Sequence, residues 1–123
     1  MSKRLSRDLA QKRPLRVMAS PELSEKLAGP DPPNDIHTWV DEMQKALHEN
    51  MYCGNQMQPT KRVKKYMKKF AVKNLYRYRL PEWHRAMYSV YSEGASGQNG
   101  LSVVILEIMD HNRYSEVFGY ETT

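Results

Sequence analysis

The sequence predicts an α+β fold: an N-terminal strand, two to three helices, then a three-stranded antiparallel meander, with the helices packed on one face of a twisted four-stranded sheet. Three observations predict it. Ile36, Trp39, Val40, Met43, Leu47 and Met51 repeat at the helical period in the first half of the chain, the stripe of an amphipathic helix. Three β-favouring runs, at 74–80, 83–91 and 101–109, fall in the second half and are separated by turn-forming residues. Helices gathered before strands, instead of alternating with them, argue for α+β layering.

The elements follow in order. Residues 1–14 form a basic arm (Lys3, Arg4, Arg7, Lys12 and Arg13) in which Leu5 and Leu9, four apart, allow a turn or two of helix. A single domain then occupies 15–123. Leu15, Arg16, Val17 and Met18 alternate as a short strand does. Ser20-Pro21-Glu22 reads as a helix start, with Ser as cap, Pro at the first helical position and an acid in the first turn. Gly29-Pro30 ends that helix, and Asp31-Pro32-Pro33-Asn34 makes a stiff turn. The long helix comes next, capped by Asn34 or Asp35 and broken at Gly54, after which 54–59 is a loop or a short extended piece.

Within 60–72, Val63, Tyr66, Met67 and Phe70 recur at helical spacing among lysines, the pattern of a short basic helix. The 74–80 run alternates and reads as a strand, Pro81-Glu82 as a tight turn, and 83–91 as a second strand. Residues 92–100 are a hairpin loop. Val103, Val104, Ile105 and Leu106 form the most apolar run in the chain, which suits a central strand. Residues 110–123 read as a polar, aromatic tail.

At 123 residues with 40% hydrophobic content, the chain matches one modest core, with eight Met and eight Tyr to fill it. Its one cysteine, Cys53, excludes an internal disulfide and a cysteine zinc cluster. The first residues are charged, and no run approaches the roughly 18 apolar residues of a membrane span. A cytoplasmic protein with no membrane partner is expected. No glycine-rich phosphate loop, nucleophile elbow or metal-ligand spacing appears, so neither a metal nor a small-molecule cofactor is expected.

The charge is uneven. Between Lys61 and Arg85 stand ten basic residues against one acid, Glu82, a local charge of +9 against +5 for the whole chain. The rest is therefore net acidic. A local field of this kind attracts polyanions, nucleic acid first among them; the alternative is a solvated face that only keeps the protein soluble. Lys64, Lys65, Lys68 and Lys69 are its helical part, and Arg77 and Arg79 its strand part. With Arg85 folded back beside them, the arginines would form a phosphate clamp on an open sheet face. Tyr76, Tyr78, Trp83 and Tyr88 interleave with them, and core packing is the plainer role for these rings. His111 follows the last strand, where a scaffold holds a side chain rigidly yet accessibly; a histidine there suits proton transfer, with Asp110 beside it. A histidine in a polar tail is also often simply solvated.

The stretch 74–88, with Tyr76, Arg77, Tyr78 and Arg79 followed by Trp83, Arg85 and Tyr88, resembles the central hairpin of the RelE/ParE toxin superfamily. There a basic strand is followed by a strand opening on Trp or Tyr and Arg and closing on Tyr. The segment 106–120, with Asp110, His111, Arg113, Tyr114, Phe118 and Tyr120, is similar to the closing strand and tail of the same family, and the whole to an archaeal-type branch. The resemblance covers about residues 15–120. It implies a RelE-like fold and the toxin half of a type II toxin–antitoxin pair. RelE-like members cleave mRNA in the ribosome by attack of a ribose 2′-OH on its 3′-phosphodiester; ParE-like members bind and inhibit gyrase without that chemistry. The partners implied are a small acidic antitoxin, the ribosome and mRNA. Carried over by position, Arg77 and Arg79 match the basic residues of the hairpin's first strand and Arg85 the arginine of its second, while His111 lies near the family's terminal His or Arg and Tyr120 or Tyr114 stands in for its C-terminal Tyr. The resemblance thus implies Arg85, His111 and Tyr120 as catalytic and Arg77 and Arg79 as nucleic-acid contacts, to which the basic Arg113, Lys64, Lys65, Lys68 and Lys69 are added. The arm and the long hairpin loop are additions to the family pattern.

Overall fold

The structure, a computed structural model, describes residues 12–29, 35–93 and 100–119. Most of the 1–14 arm, the 31–34 turn, most of the 92–100 loop and Tyr120 lie outside the described residues.

The first strand, β1 (Val17–Ala19), leads into helix α1 (Pro21–Leu27). The Ser20 hydroxyl caps α1 by accepting from the Leu23 N–H at 3.1 Å, and donates to the Leu106 carbonyl at 2.8 Å. One side chain thus starts the helix and ties it to the sheet. Helix α2 (Ile36–Glu49) presents the expected stripe: Ile36, Trp39, Val40, Met43 and Leu47 are all buried. It is followed by a two-residue strand, β2 (Asn55–Gln56), and by the basic helix α3 (Lys61–Phe70), capped by Thr60. Strands β3 (Tyr76–Arg79), β4 (Arg85–Ser92) and β5 (Leu101–Met109) form the meander, and helix α4 (His111–Phe118) follows.

The sheet order is β1-β5-β4-β3-β2, with β1 parallel to β5 and every other pair antiparallel. The fold is α+β, and it departs from expectation in three ways. Among the described residues the sheet has five strands, not four, because Asn55 and Gln56 pair with Arg77 and Tyr76. Gly54 makes that approach possible: a Cβ there would stand 2.6 Å from the Arg77 carbonyl oxygen, and its N–H donates to the Tyr88 hydroxyl at 2.9 Å.

The helices also cover both faces, not one. Tyr76, Ala86, Tyr88, Val90, Val103 and Ile105 pack with α1 and α2, whereas Leu75, Met87, Leu106 and Met109 pack with α3 and α4. Alternate residues of β4 therefore enter different cores. In β5, Met87 stands opposite Glu107 but Tyr88 opposite Ile105, so Leu106 is an inserted residue that keeps each core supplied with apolar side chains. Third, the expected tail is helical over 111–118. Its Asp110 cap accepts from the Arg113 N–H at 2.8 Å, Tyr114 and Phe118 are buried, and Gly119 closes it with φ 84°.

Candidate nucleic-acid interface

Antiparallel pairing sets Arg79 directly opposite Arg85, and Arg77 opposite Met87. The three arginines share the sheet face that α3 and α4 cover. Arg79 is exposed, at the open end, while Arg77 and Arg85 are 8% and 6% exposed. Arg77 donates from Nη1 to the Tyr114 hydroxyl at 3.1 Å. The Arg85 guanidinium lies 4.8 Å from the centre of the Tyr114 ring and donates from Nη1 to the Trp83 carbonyl at 2.8 Å. Its Nε is buried with no hydrogen-bond partner among the described residues. The expected open clamp is thus partly roofed by Tyr114, itself fully buried. Burial draws the Arg85 pKa below the ordinary arginine value, opposed by Tyr114 and reinforced by the charges of Arg77 and Arg79.

The turn joining β3 to β4 is unusual. Leu80 N–H donates to the His84 carbonyl at 2.9 Å, which leaves Pro81, Glu82 and Trp83 at the tip. Glu82 and Trp83 have φ of 55° and 63°. Two consecutive left-handed residues match the twist of a hairpin, and Asn-Gly is the sequence that adopts them without strain. Here both positions carry large side chains. The strained turn is held from several sides: His84 Nδ1 lies 2.9 Å from the Glu82 carbonyl oxygen, the His84 ring packs 5.1 Å from Trp39, and Arg85 holds the Trp83 carbonyl. The Trp83 side chain is 71% exposed.

His111 is the first residue of α4. Its ring meets the Trp83 indole edge-on, centroids 6.0 Å apart. Glu82, Trp83, Asp110, His111 and Asn112 line an open groove of about 540 Å³. Along the C-terminal half of α4 runs a second, larger cleft of about 880 Å³, lined by Gln56, Lys61, Arg62, Arg77 and Ser115 among others.

The structure therefore brings Arg77, Arg79, Arg85 and His111 to one end of the sheet. Lys64, Lys65, Lys68 and Lys69 lie apart from it, exposed on the outer face of α3. Arg113 is engaged elsewhere, paired with Glu107 at 3.0 Å, whose other oxygen accepts from the Tyr66 hydroxyl at 2.9 Å. Tyr120 lies outside the described residues. Tyr76 and Tyr88 are stacked in the core, as the plainer reading of the aromatics expects, but Trp83 is not. Its position immediately after Pro81-Glu82 was the available signal, since a strand cannot begin inside its own turn. Among the described residues, no group of three or more His, Cys, Asp or Glu is placed to hold a metal ion, and no helix is long and apolar enough to cross a membrane. In comparisons with known proteins, no family model, no curated protein and no solved structure matches the chain.

Proposed function

We propose that the protein is the toxin of a type II toxin–antitoxin pair, acting in the cytoplasm as a ribosome-dependent mRNA endonuclease. The observation that carries this reading is the corner built around Trp83. Its carbonyl accepts from Arg85, its ring meets His111, and Arg79 stands exposed across the strand pair. The exposed Arg79, suited to a phosphate, and His111, a side chain suited to proton transfer, thereby stand at one end of the sheet. Arg85 is held by a carbonyl oxygen and an aromatic face, neither of which cancels its charge, so the strand-end side of the corner, with Arg79, keeps cations for a phosphate, while Glu82 and Asp110 lie on the groove side.

In the proposed reaction the ribose 2′-oxygen attacks the adjacent phosphorus as the bond to the 5′-oxygen breaks. The 2′-OH loses a proton and the leaving 5′-oxygen gains one, giving a cyclic 2′,3′-phosphate and a 5′-hydroxyl end. Arg85 and Arg79 neutralise charge on the phosphorane-like transition state, and His111 transfers one of the protons. The ribosome supplies in-line placement of the message. The exposed lysines of α3 contact the RNA backbone. A small acidic antitoxin would cover that same lysine face.

A second reading, a toxin-fold protein that binds RNA, the ribosome or gyrase without cutting, is favoured by one specific observation: Arg77 and Arg85 are turned under α4 towards Tyr114. Primer extension on translating ribosomes separates the two. Cleavage predicts new mRNA 5′ ends with the wild type that disappear with Arg85→Ala. Ribosome or gyrase binding without any new ends supports the second reading.

A further inference from the structure

We propose that the groove between Trp83 and the start of α4 is a subsite for a single unpaired nucleobase, which stacks on the Trp83 indole and presents an amino-bearing edge to Asp110 and Asn112. The inference rests on the reading of the protein as RNA-directed, and it names what that corner recognises besides phosphate.

Folding alone gives no reason for Trp83. The turn closed by the His84 N–H donating to the Pro81 carbonyl at 3.2 Å has left-handed backbone at both central positions, which Asn-Gly supplies with little strain. Glu82 and Trp83 adopt it with φ of 55° and 63°, a conformation that persists only where the surroundings enforce it. The same turn leaves the indole 71% exposed, so the side chain contributes little burial in return. The backbone is nonetheless held on three sides, by Leu80 with His84, by His84 against Trp39, and by Arg85 on the Trp83 carbonyl. The result is a large, flat, rigidly presented aromatic surface, which is what base stacking uses. Contact with the His111 ring sets the orientation of the indole.

The lining distinguishes base from phosphate. Glu82 and Asp110 put negative charge into the groove and disfavour a phosphate there, whereas Arg79 and Arg85 lie at the neighbouring strand ends. A nucleotide therefore fits with its phosphate towards the arginines and its base in the groove. Asp110 uses Oδ1 to cap the Arg113 N–H and retains further lone pairs, and Asn112, exposed, offers an amide donor and acceptor. Carboxylate and carbonyl acceptors favour adenine, guanine or cytosine, each with an exocyclic amino group, over uracil, which has none.

The test uses the intrinsic fluorescence of the full chain. The signal of the wild type minus that of Trp83→Phe isolates Trp83 from the buried Trp39. Titration with single-stranded hexa-adenylate is expected to quench Trp83, while inorganic polyphosphate, a polyanion without bases, binds without quenching it. Trp83→Ala is expected to weaken hexa-adenylate binding about fivefold to 160-fold, the range for one stacked base, with an unchanged slope of log Kd against log salt. Trp83→Phe should keep most of the affinity and hexa-uridylate should bind more weakly. Trp83→Gly should raise Tm by relieving the turn yet bind as poorly as the alanine variant, a combination that a merely structural tryptophan would not produce. Equal quenching by polyphosphate, absence of quenching by RNA, or wild-type affinity in Trp83→Ala overturns the subsite. If RNA quenches Trp83 but the protein cuts no message on translating ribosomes, the nuclease reading fails and the subsite stands. If the wild type cuts and Trp83→Ala binds and cuts equally well, the subsite fails and the nuclease stands.

Discussion

The Arg77, Arg85 and Tyr114 side chains depend on one another: the hydroxyl of Tyr114 accepts from Arg77 at 3.1 Å and its ring supports Arg85 at 4.8 Å. Tyr114→Phe keeps the ring and removes the acceptor from a buried guanidinium. It is expected to lower stability by about 1–2 kcal/mol, read as a shifted urea midpoint with an unchanged m-value. Two other tyrosines set the alkaline limit. Burial pushes the pKa values of Tyr66 and Tyr88 well above the ordinary 10.0, with the Glu107 charge adding to the shift at Tyr66. The folded protein therefore retains protons that the unfolded chain releases above pH 10, and this stabilisation is lost as pH rises beyond it. A thermal-melt series should show Tm falling above pH 10, and less steeply in Tyr66→Phe. At this scale Arg85 was legible, because an arginine interrupts an otherwise β-rich run. Its burial was not, because the covering group, Tyr114, is remote in sequence and reaches it only through the fold. Trp83 was misplaced for a related reason: its β-favouring character continued the strand pattern, while the turn's left-handed backbone leaves no mark on hydrophobic alternation.

Among the elements, α4 matters most to the site, since it carries His111 and places Tyr114 over the arginines. Its signals were present in the sequence: Asp110 ahead of it, Tyr114, Val117 and Phe118 at helical spacing, and Gly119 beyond its end. The polar first turn concealed them and made the segment resemble a tail. Asp110→Ala removes the cap and is expected to cost about 1 kcal/mol. Hydrogen exchange should localise the effect, with faster exchange in α4 and unchanged exchange in α2, which lies on the opposite sheet face. The buried stripe of helix α2 was legible because it runs for several turns with no competing period, but its ends were not: the helix stops at Glu49, ahead of the expected break at Gly54, and Asp35 makes no side-chain cap hydrogen bond. Strand β2 was not, since its two exposed polar residues are a strand only by virtue of pairing with β3.

For the whole molecule, the expectation of one covered sheet face conflicted with the apolar run at 103–106, which marks a strand buried on both sides. β4 repeats the lesson, with Arg85 through Val90 buried without interruption. That second layer, α3 and α4, places the lysine face near the arginine corner but outside it. The two regions should consequently separate in function. Replacing Lys64, Lys65, Lys68 and Lys69 by Gln should weaken RNA binding and lower the salt slope by roughly 0.7 for each lysine that contacts phosphate, measured by anisotropy across a salt series. Cleavage at saturating protein should change little in that variant. Ribosome-dependent cleavage by Arg85 and His111 is tested by the single-turnover rate of mRNA cleavage on translating ribosomes, with protein in saturating excess, for the wild type, Arg85→Ala and His111→Ala. The expected outcome is discrete new 5′-hydroxyl ends with the wild type and rates at least about 100-fold lower in each variant. Absence of cleavage by the wild type, or undiminished cleavage in both variants, would contradict it.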